Sequence, residues 1–600
     1  MKILFLTHAF NGLAQRLFIE LGAAGHEVAI EFDVNDAVTL EAVRLAKPDL
    51  VIAPFLKRAI PEQVWGNVPC LVVHPGVPGD RGPSALDRAI QEGEREWGVT
   101  VLQAVAEMDA GPVWAHAPFP MRLASKSSLY RREVTEAAVT AVLEAVAKFG
   151  RGGKPVPVPE LRESVRGRAR PFLGQGDRAI DWHADDTLTV LRKIHAADGF
   201  PGVRDEILGR AVHLFGAHLE AGAEGDSPLR KGTVPFSAFS GVPSGASGPG
   251  AILATREGAI LRATRDGAVW ITHLKEVPAP GSPTLKLPAT QVLEGLLEGV
   301  PEWSVAIDAP DSGATWREIR YEERGSVGVL HFAFHNGAMS TAQCGRLLWA
   351  IRHAKARPTK VLLLAGGPDA WSNGIHLNAI EATGGPADAS WENINSIDDV
   401  AREIITTTDR LTVSALAGNA GAGGVFLALA ADRVWLARGV VLNPHYRGMG
   451  NLFGSEYWTY LLPRRVGEAK ALEITGRRLP MGSAEAVATR LADARFGHAP
   501  ASFLEAAIKR AQAMAADAGH AGALEAKRAR RLVDEASKPL ERYREEELAR
   551  MKLNFYGFDP SYHVARYHFV FKLPKARTPH YLASHRAGRS GPQKREPANA

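Results

Sequence analysis

The chain has 600 residues, of which 46% are hydrophobic and 23% are charged. This composition is that of an ordinary globular protein and excludes wholesale disorder, collagen and small disulfide-rich scaffolds. The net charge of +5, from 71 Lys and Arg against 66 Asp and Glu, is small for this length. No nucleic-acid-binding motif accompanies it, so we expect no nucleic-acid partner.

Two cysteines, Cys70 and Cys344, can form at most one disulfide, which indicates a reducing compartment. The N-terminal apolar stretch in MKILFLTHAF is too short for the core of a signal sequence and is typical of a buried first strand. No run approaches the roughly 18 apolar residues that cross a bilayer. We therefore expect a cytoplasmic protein without a membrane partner.

Residues 1–165 alternate short apolar β-rich runs with amphipathic helical stretches, a pattern that predicts an open parallel sheet. The predicted strands are Ile3–Leu6, Val28–Ile30, Leu50–Ile52 and Cys70–Val73, and the predicted helices are Ala14–Leu21 and Thr39–Leu45. After Gly150 the sequence GRGGKPVPVPE indicates a linker. The fold class we predict is a multidomain α/β protein.

Residues 170–310 predict a second domain with a helix at 187–196 and a small β-sheet or barrel. Three short strands end the domain, separated by Arg-Glu-Gly and Arg-Asp-Gly turns, and a Gly/Pro/Ser-rich insert at 234–250 precedes them. Residues 302–318 are typical of a second linker.

Residues 320–575 predict a third domain that begins with a strand, a helix and a strand at 327–334, 340–356 and 360–365. A glycine-rich helix start follows at 418–431. Two basic stretches, 162–170 and the tail 576–600, are expected to be a solvated linker and a flexible end.

The first candidate site follows the predicted strand at Cys70–Val73, which runs into His74. In open α/β sheets, ligands bind beyond the carboxyl ends of the strands, where a histidine can act as an acid or base. A second predicted strand begins at 98–100 and is expected to end at Asp109. A carboxylate beside an imidazole can orient the ring and stabilise its charged form, so we predict that His74 and Asp109 form a catalytic pair.

These residues resemble the folate-dependent formyltransferases, whose motif is Asn-x-His-Pro followed by Arg-Gly and later by Leu-Asp-x-Gly. The resemblance implies that His74 and Asp109 are catalytic and that N10-formyltetrahydrofolate is the formyl donor. It also places Arg81 in the conserved loop, and Arg58 and Ile60 in a loop that binds the pterin ring. The second domain is similar to the OB-like C-terminal domain of the tRNA formyltransferases.

One position departs from this family. Its catalytic asparagine falls at Val72, which has no donor for the oxygen of the tetrahedral intermediate. Loss of one such donor typically costs about two to three orders of magnitude in rate. Either another group substitutes for this donor, or the formyl acceptor is more reactive than an ordinary amine, and a partly ionised thiol is such an acceptor.

The second candidate site lies in the third domain, where glycine-rich turns precede two helices. These turns resemble the two oxyanion segments of the crotonase (enoyl-CoA hydratase/isomerase) superfamily. By that resemblance, the N–H groups of Ile375 and Gly423 bind a thioester carbonyl, and the domain binds coenzyme A.

Hydratase chemistry is not expected at this second site. One superfamily glutamate falls at Phe426, and the other falls in Pro444-His445-Tyr446, where no carboxylate occurs. Addition of water needs such acid and base groups. We predict instead that Tyr446 and Glu456 form the acid/base pair.

The combination of these domains resembles the HoxX-type maturation proteins of nickel-iron hydrogenases over essentially the whole chain. The most specific segments are HPGVPGDRGPS and GSEYWTYLLPRRVG. The family implies transfer of formyl to coenzyme A and breakdown of formyl-CoA to carbon monoxide, an iron ligand of the hydrogenase. Small-molecule substrates and hydrogenase maturation proteins are then the expected partners, and no metal site is expected.

Two alternatives stay open from the sequence. One is a formyltransferase that acts on an amine and is fused to another acyl-CoA enzyme, which Val72 and Phe426 disfavour. The other is a non-catalytic scaffold that binds folate and coenzyme A, which the presence of both His74 and Asp109 disfavours.

Overall fold

The computed structural model describes residues 1–164, 166–220, 248–279, 281–310 and 315–589. The chain forms two compact units. The first contains residues 1–123, residues 127–173 and the C-terminal segment from Pro574, and the second contains residues 124–126 and 174–573. The predicted second and third domains thus lie in one unit.

The first unit is built on a six-stranded sheet of order β2-β1-β3-β4-β5-β6. Its strands are β1 (Lys2–Thr7), β2 (Glu27–Phe32), β3 (Leu50–Ala53), β4 (Cys70–His74), β5 (Glu96–Gln103) and β6 (Val113–Pro120). Its helices are α1 (Gly12–Ala23), α2 (Asp36–Ala46), α3 (Glu62–Trp65), α4 (Ala85–Glu92), α5 (Lys126–Leu129) and α6 (Thr135–Gly150).

The sheet is mixed, which differs in part from the expected open parallel sheet. Strands β1 to β4 pair in parallel, but β4 pairs with β5, and β5 with β6, antiparallel. A direct loop, 104–112, joins β5 to β6 without a crossover helix, and such a connection gives antiparallel pairing. Asp109 therefore lies in this loop and not at the end of a strand.

The C-terminal segment covers the edge strand β2, so the expectation of a flexible tail is wrong for this part of it. The Phe32 N–H donates to the Thr578 hydroxyl at 2.7 Å, and the Ile30 N–H donates to the Leu582 carbonyl at 3.1 Å. The buried Glu31 carboxylate also takes hydrogen bonds from this segment. The segment is ordered because it satisfies polar groups that an uncovered edge leaves unpaired. Residues 590–600 lie outside the described residues.

The basic stretch at 162–170 is also more ordered than expected. The Gly167 N–H donates to the Pro78 carbonyl at 3.0 Å, and the Arg170 N–H donates to the Arg81 carbonyl at 2.9 Å. The guanidinium of Arg170 is largely buried and contacts Glu92 at 2.7 Å. Residues 167–170 therefore pack on the loop that follows β4 and are not a solvated linker.

In the second unit, residues 174–310 form a sheet of order β7-β8-β11-β10-β9, with β12 paired to β11. The strands are β7 (Val203–Ile207), β8 (Arg210–Glu220), β9 (Ile252–Arg256), β10 (Ala259–Ala263), β11 (Ala268–Glu276) and β12 (Lys286–Pro288), and the helices are α7 (Gln175–Arg178), α8 (Thr187–Ala197) and α9 (Ala289–Val292). The three predicted strands are confirmed as β9, β10 and β11. Of the predicted insert, residues 234–247 lie outside the described residues.

Residues 319–570 form two sheets surrounded by helices. The first has the order β13-β14-β15-β17-β19-β22, and the second has the order β16-β18-β20-β21. The strands are β13 (Ile319–Arg324), β14 (Val327–Phe332), β15 (Val361–Leu364), β16 (Ala370–Ser372), β17 (Leu411–Leu416), β18 (Asn419–Gly421), β19 (Arg433–Ala437), β20 (Val441–Asn443), β21 (Met481–Gly482) and β22 (Ala494–Phe496).

The helices of this part are α10 (Thr341–Lys355), α11 (Leu377–Glu381), α12 (Pro386–Ile405), α13 (Gly423–Leu429), α14 (Trp458–Val466), α15 (Glu468–Arg477), α16 (Ser483–Ala488), α17 (Pro500–Ala516), α18 (His520–Ser537), α19 (Leu540–Tyr556) and α20 (Ser561–Val570). Strand β13 begins at Ile319, directly after the predicted linker 302–318, and it pairs antiparallel with β14. Among the described residues, no helix has the length and hydrophobicity to cross a membrane.

Two candidate active sites

The first site lies at the C-terminal end of β4, where the buried His74 ring lies between two carboxylates. Its Nε2 atom is 3.1 Å from Asp80 Oδ1, within hydrogen-bonding distance. Its Nδ1 atom is 3.6 Å from Asp109 Oδ1, which is ion-pair contact but too long for a hydrogen bond. The structure therefore brings together the predicted pair and adds a second carboxylate that the sequence analysis missed.

Both carboxylates are held by the local backbone. Asp109 adopts the left-handed conformation with φ of 57°, and its Oδ2 accepts the Gly82 N–H at 3.4 Å. The Asp80 N–H donates to the Val77 carbonyl at 2.9 Å, and the Asp80 side chain is only 1% exposed. A positive φ is uncommon outside glycine and is often found at functional sites.

The absence of a side chain at Gly76 permits the contact between His74 and Asp80. A Cβ at this position would overlap His74 Nε2 and approach Asp80 Oδ1 to 3.0 Å. The Gly76 carbonyl accepts a hydrogen bond from the Thr100 hydroxyl at 2.7 Å. Glycine at position 76 thus has a local steric reason.

The three predicted folate-binding residues occupy different environments. The half-exposed Arg58 is 3.4 Å from Asp33 and also pairs with Asp36. Ile60 is buried, and Arg81 forms an ion pair with Glu107 in the loop that carries Asp109. The roles of these three residues in folate binding therefore stay predictions.

Val72 lies two residues before His74 on β4, so both side chains lie on the same face of the sheet. Val72 packs against the apolar cluster of the first unit. Because its side chain has no polar atom, it supplies no hydrogen bond to the site.

The second site is formed by two turns that lie in close contact. Gly374 adopts φ of 78°, and a Cβ there would lie 3.4 Å from the Gly423 nitrogen. Ala422, just before α13, has φ of 47°, a strained conformation that directs the start of the helix. Among the described residues, none accepts a hydrogen bond from the N–H of Ile375 or of Gly423. These two donors are available for a ligand oxygen.

Glu456 and Tyr446 meet directly beside these donors. The Tyr446 hydroxyl is in hydrogen-bond contact with Glu456 Oε2 and lies 2.8 Å from the Ser455 carbonyl oxygen. The Glu456 carboxylate lies against Gly423 so closely that a Cβ at Gly423 would overlap it. The structure therefore places the predicted acid/base pair next to the predicted oxyanion donors.

Two buried carboxylates, Asp398 on α12 and Glu547 on α19, hold the segment that presents Glu456. Asp398 accepts the Glu456 N–H and the Ser455 hydroxyl, each at 2.7 Å. Glu547 accepts the N–H of Tyr457 at 3.0 Å and of Thr459 at 2.8 Å. These bonds fix Glu456 and Tyr457 at φ of 60° and 58°. Sequence analysis missed both carboxylates, although each lies on the buried stripe of its helix.

Burial controls the protonation of this second site. Burial, together with the nearby Asp398 carboxylate, raises the pKa of Glu456 to about 8. Burial and the Glu456 charge also raise the pKa of Tyr446 well above its usual value. Tyr446 therefore remains a hydrogen-bond donor at neutral pH, whereas Glu456 can both release and accept a proton.

Phe426 occupies the position expected for a hydratase glutamate and is fully buried. Its ring stacks on Tyr446 with a centroid separation of 5.1 Å and an interplanar angle of 16°. The side chain supports Tyr446 by packing and supplies no acid or base. Among the described residues, no group of three or more His, Cys, Asp or Glu side chains could hold a metal ion.

The fold and these sites define a formyltransferase joined to a crotonase-like domain, and comparison with known families agrees. Residues 29–146 match the formyl transferase family, and residues 173–281 match the formyl transferase C-terminal domain. Residues 327–555 match the enoyl-CoA hydratase/isomerase family.

The chain belongs to the HoxX/HypX family of hydrogenase maturation factors. It is 56% identical over 590 residues to hydrogenase maturation factor HoxX of Bradyrhizobium diazoefficiens, covering 98% of both chains. It is 48% identical to HypX of Aquifex aeolicus in the crystal structure of that protein with tetrahydrofolic acid. The two structures superpose with a TM-score of 0.90 over 98% of this chain and 99% of that one.

A more distant relative covers only the formyltransferase part. Methionyl-tRNA formyltransferase of Ralstonia pickettii is 26% identical over 264 residues, which are 43% of this chain and 72% of the relative. The resemblances to formyltransferases, crotonases and hydrogenase maturation factors are therefore confirmed at the family level.

Proposed function

We propose that this protein makes carbon monoxide for the iron of a nickel-iron hydrogenase, in the cytoplasm. Its first site transfers formyl from N10-formyltetrahydrofolate to coenzyme A. Its second site converts formyl-CoA to carbon monoxide and coenzyme A. The observation that carries the proposal is the Glu456 carboxyl group against Gly423, beside two unused N–H donors.

In the first step, His74 removes the proton of the coenzyme A thiol as the sulfur attacks the formyl carbon. The imidazolium formed is stabilised by Asp109, and it returns the proton to N10 as the carbon–nitrogen bond breaks. A thiol becomes a strong nucleophile once ionised, which lowers the demand for the oxyanion donor that Val72 lacks.

In the second step, the N–H groups of Ile375 and Gly423 bind the formyl oxygen and orient the thioester. Glu456 takes the formyl proton, and the electrons of the C–H bond complete carbon monoxide as the carbon–sulfur bond breaks. The departing thiolate then takes the proton from Glu456. Tyr446 holds the carboxyl group in place. Because the proton passes from carbon to sulfur through Glu456, atoms and charge balance without water.

The lack of a carboxylate at either expected hydratase position, Phe426 or 444–446, supports this step over hydration. Addition of water needs groups that activate water and protonate carbon. Phe426 stands at one of these positions, and the phenyl ring supplies neither function.

The proposal is tested by anaerobic incubation with N10-formyltetrahydrofolate and coenzyme A. Tetrahydrofolate release is followed directly, and carbon monoxide by the spectral shift of reduced haemoglobin. We expect His74→Ala to lose both products, and Glu456→Gln or Tyr446→Phe to lose carbon monoxide by about 10²-fold or more. A formylated amine as the product, or release of tetrahydrofolate with no carbon monoxide from the wild-type protein, would contradict it.

A further inference from the structure

We propose that Asp80 is a positioning residue that holds the proton of neutral His74 on Nε2 and so leaves Nδ1 free to accept the thiol proton. The inference deepens the formyl transfer proposed above and rests on it. Asp80 would act through His74 and would not touch the substrate.

The geometry assigns the two ring nitrogens different tasks. A carboxylate only accepts hydrogen bonds, so the 3.1 Å contact is a hydrogen bond when the proton lies on Nε2 of His74. The other nitrogen, Nδ1, is 3.6 Å from Asp109 Oδ1 and makes no hydrogen bond to it. In neutral His74 the lone pair is then on Nδ1, on the side of Asp109.

The position of Asp80 is fixed by the segment 167–170. A Cβ at Gly167 would overlap the backbone of Asp80, so the two chain segments are in the closest contact that glycine allows. The pairing of Ala169 with Arg81 continues this contact. The backbone of Asp80 is therefore held against the segment 167–170.

The charge of Asp80 is incompletely balanced in the resting site. Its Oδ2 atom is buried and receives no hydrogen bond from a described residue, and Arg170 Nε is 3.9 Å away. A buried carboxylate with an unpaired oxygen is costly. The positive charge that the proposed transfer places on His74 would lie beside this carboxylate.

This role would offset the one departure from the formyltransferase motif, the missing hydrogen-bond donor at Val72. Gly76 admits the Asp80 carboxylate that the role needs. While the proton taken from sulfur is on Nδ1, the imidazolium lies beside the developing oxyanion. Its positive charge replaces the attraction that an amide donor supplies.

The test compares Asp80→Asn with the wild-type protein in two measurements. The asparagine amide can donate to Nε2, which moves the His74 proton to Nδ1. In the Ser-His-Asp triad of serine proteases, the same Asp-to-Asn change imposes the wrong tautomer at a cost of about 10⁴ in kcat. We expect tetrahydrofolate release to fall about 10²-fold or more in kcat, with KM for both substrates nearly unchanged.

The second measurement is 15N NMR of histidine-labelled protein at pH 9 without substrates, with His74 assigned from His74→Gln. We expect the Nε2–H tautomer in the wild type and the Nδ1–H tautomer in Asp80→Asn. Asp80→Ala serves as a second variant, in which a mixture is expected. Glu96→Gln, which removes an exposed carboxylate from the same unit, is the matched control and is expected to change neither readout.

A tautomer and a kcat that are the same in Asp80→Asn as in the wild type would overturn the inference. If the wild type releases no tetrahydrofolate with coenzyme A, the proposed acceptor is wrong, and the NMR spectra alone then decide the role of Asp80. Dependence of the tautomer on Asp80 still supports it, and independence overturns it.

Discussion

At both candidate sites a glycine leaves the space that a carboxylate occupies. At the first site, Gly76 leaves the space in which Asp80 reaches His74. At the second, Gly423 leaves the space for the Glu456 carboxylate, which a Cβ would overlap. In each site a carboxylate that would be costly to bury alone is kept by specific polar contacts.

The protonation of Glu456 gives a pH-dependent prediction. The base acts in its ionised form, so carbon monoxide release from formyl-CoA is expected to rise as the pH passes through about 8, the pKa of Glu456. Asp398→Asn removes a neighbouring negative charge but keeps an acceptor for the Glu456 N–H. We expect this change to lower the pKa of Glu456 and to move the acid limb of the profile by about one pH unit or more.

The measurement is the initial rate of carbon monoxide release between pH 5.5 and 9. Asp399→Asn is the control, because Asp399 is the next residue on α12 and pairs with Arg544 at the surface. An acid limb at the same pH in Asp398→Asn and in the wild type would contradict the assignment of Glu456 as the base.

At the scale of elements, short segments in unusual conformations are held by regular elements that lie far away in sequence. The segment before α14 places two successive residues, Glu456 and Tyr457, in the left-handed region. Helices α12 and α19 each contribute one carboxylate, which accepts a hydrogen bond from an N–H group of this segment. The strain is thereby offset by charge-assisted hydrogen bonds.

The C-terminal segment acts in a similar way on β2. Burial opposes ionisation of Glu31, but hydrogen bonds from His585, Thr578 and Arg586 outweigh it and hold the pKa of Glu31 below its usual value. This stabilisation is present above the unfolded-state pKa of about 4.3 and is lost as the pH falls through the folded-state pKa.

We expect Arg586→Ala to weaken this cover by about 1–3 kcal/mol, since Glu31 loses a charged hydrogen-bond partner. Hydrogen exchange at pH 7 is the measurement, and the amides of β2 are expected to exchange faster by about tenfold or more. Arg577→Ala changes an exposed arginine of the same segment and is the control. Unchanged exchange in β2 of Arg586→Ala would show that the segment is not held through Glu31.

At the scale of the whole molecule, the proposed function requires the two sites to act in series. His74→Ala lacks the first activity but keeps every residue of the second site. We therefore expect it to release carbon monoxide at nearly the wild-type rate when formyl-CoA is supplied directly.

Glu456→Gln, tested in parallel, is expected to release tetrahydrofolate from the folate substrate and no carbon monoxide from formyl-CoA. The haemoglobin assay measures both variants. Failure of His74→Ala to use formyl-CoA would mean that His74 acts in the second reaction as well, and the serial scheme would be wrong.

The sequence by itself determined many of the elements and which residues lie together at the candidate sites. Apolar runs predicted β1 to β4, and turn residues predicted β9 to β11. The pairing of His74 with Asp109 was predicted from the ends of strands, and that of Tyr446 with Glu456 from a cluster of polar residues. These features are local or follow from a motif, because periodicity and turn chemistry act over a few residues.

The tertiary structure alone decided what surrounds these pairs. Asp80, Asp398 and Glu547 carry no local signal beyond their place near a loop or on an apolar stripe. The partners of Asp398 and Glu547 come from distant segments of the chain, and the contact of Asp80 with His74 depends on how the loop after β4 folds. The order of the C-terminal segment likewise depends on β2, at the other end of the sequence. Burial and pairing of a charge are properties of the folded environment, so the polar network around each site is not readable from neighbouring residues.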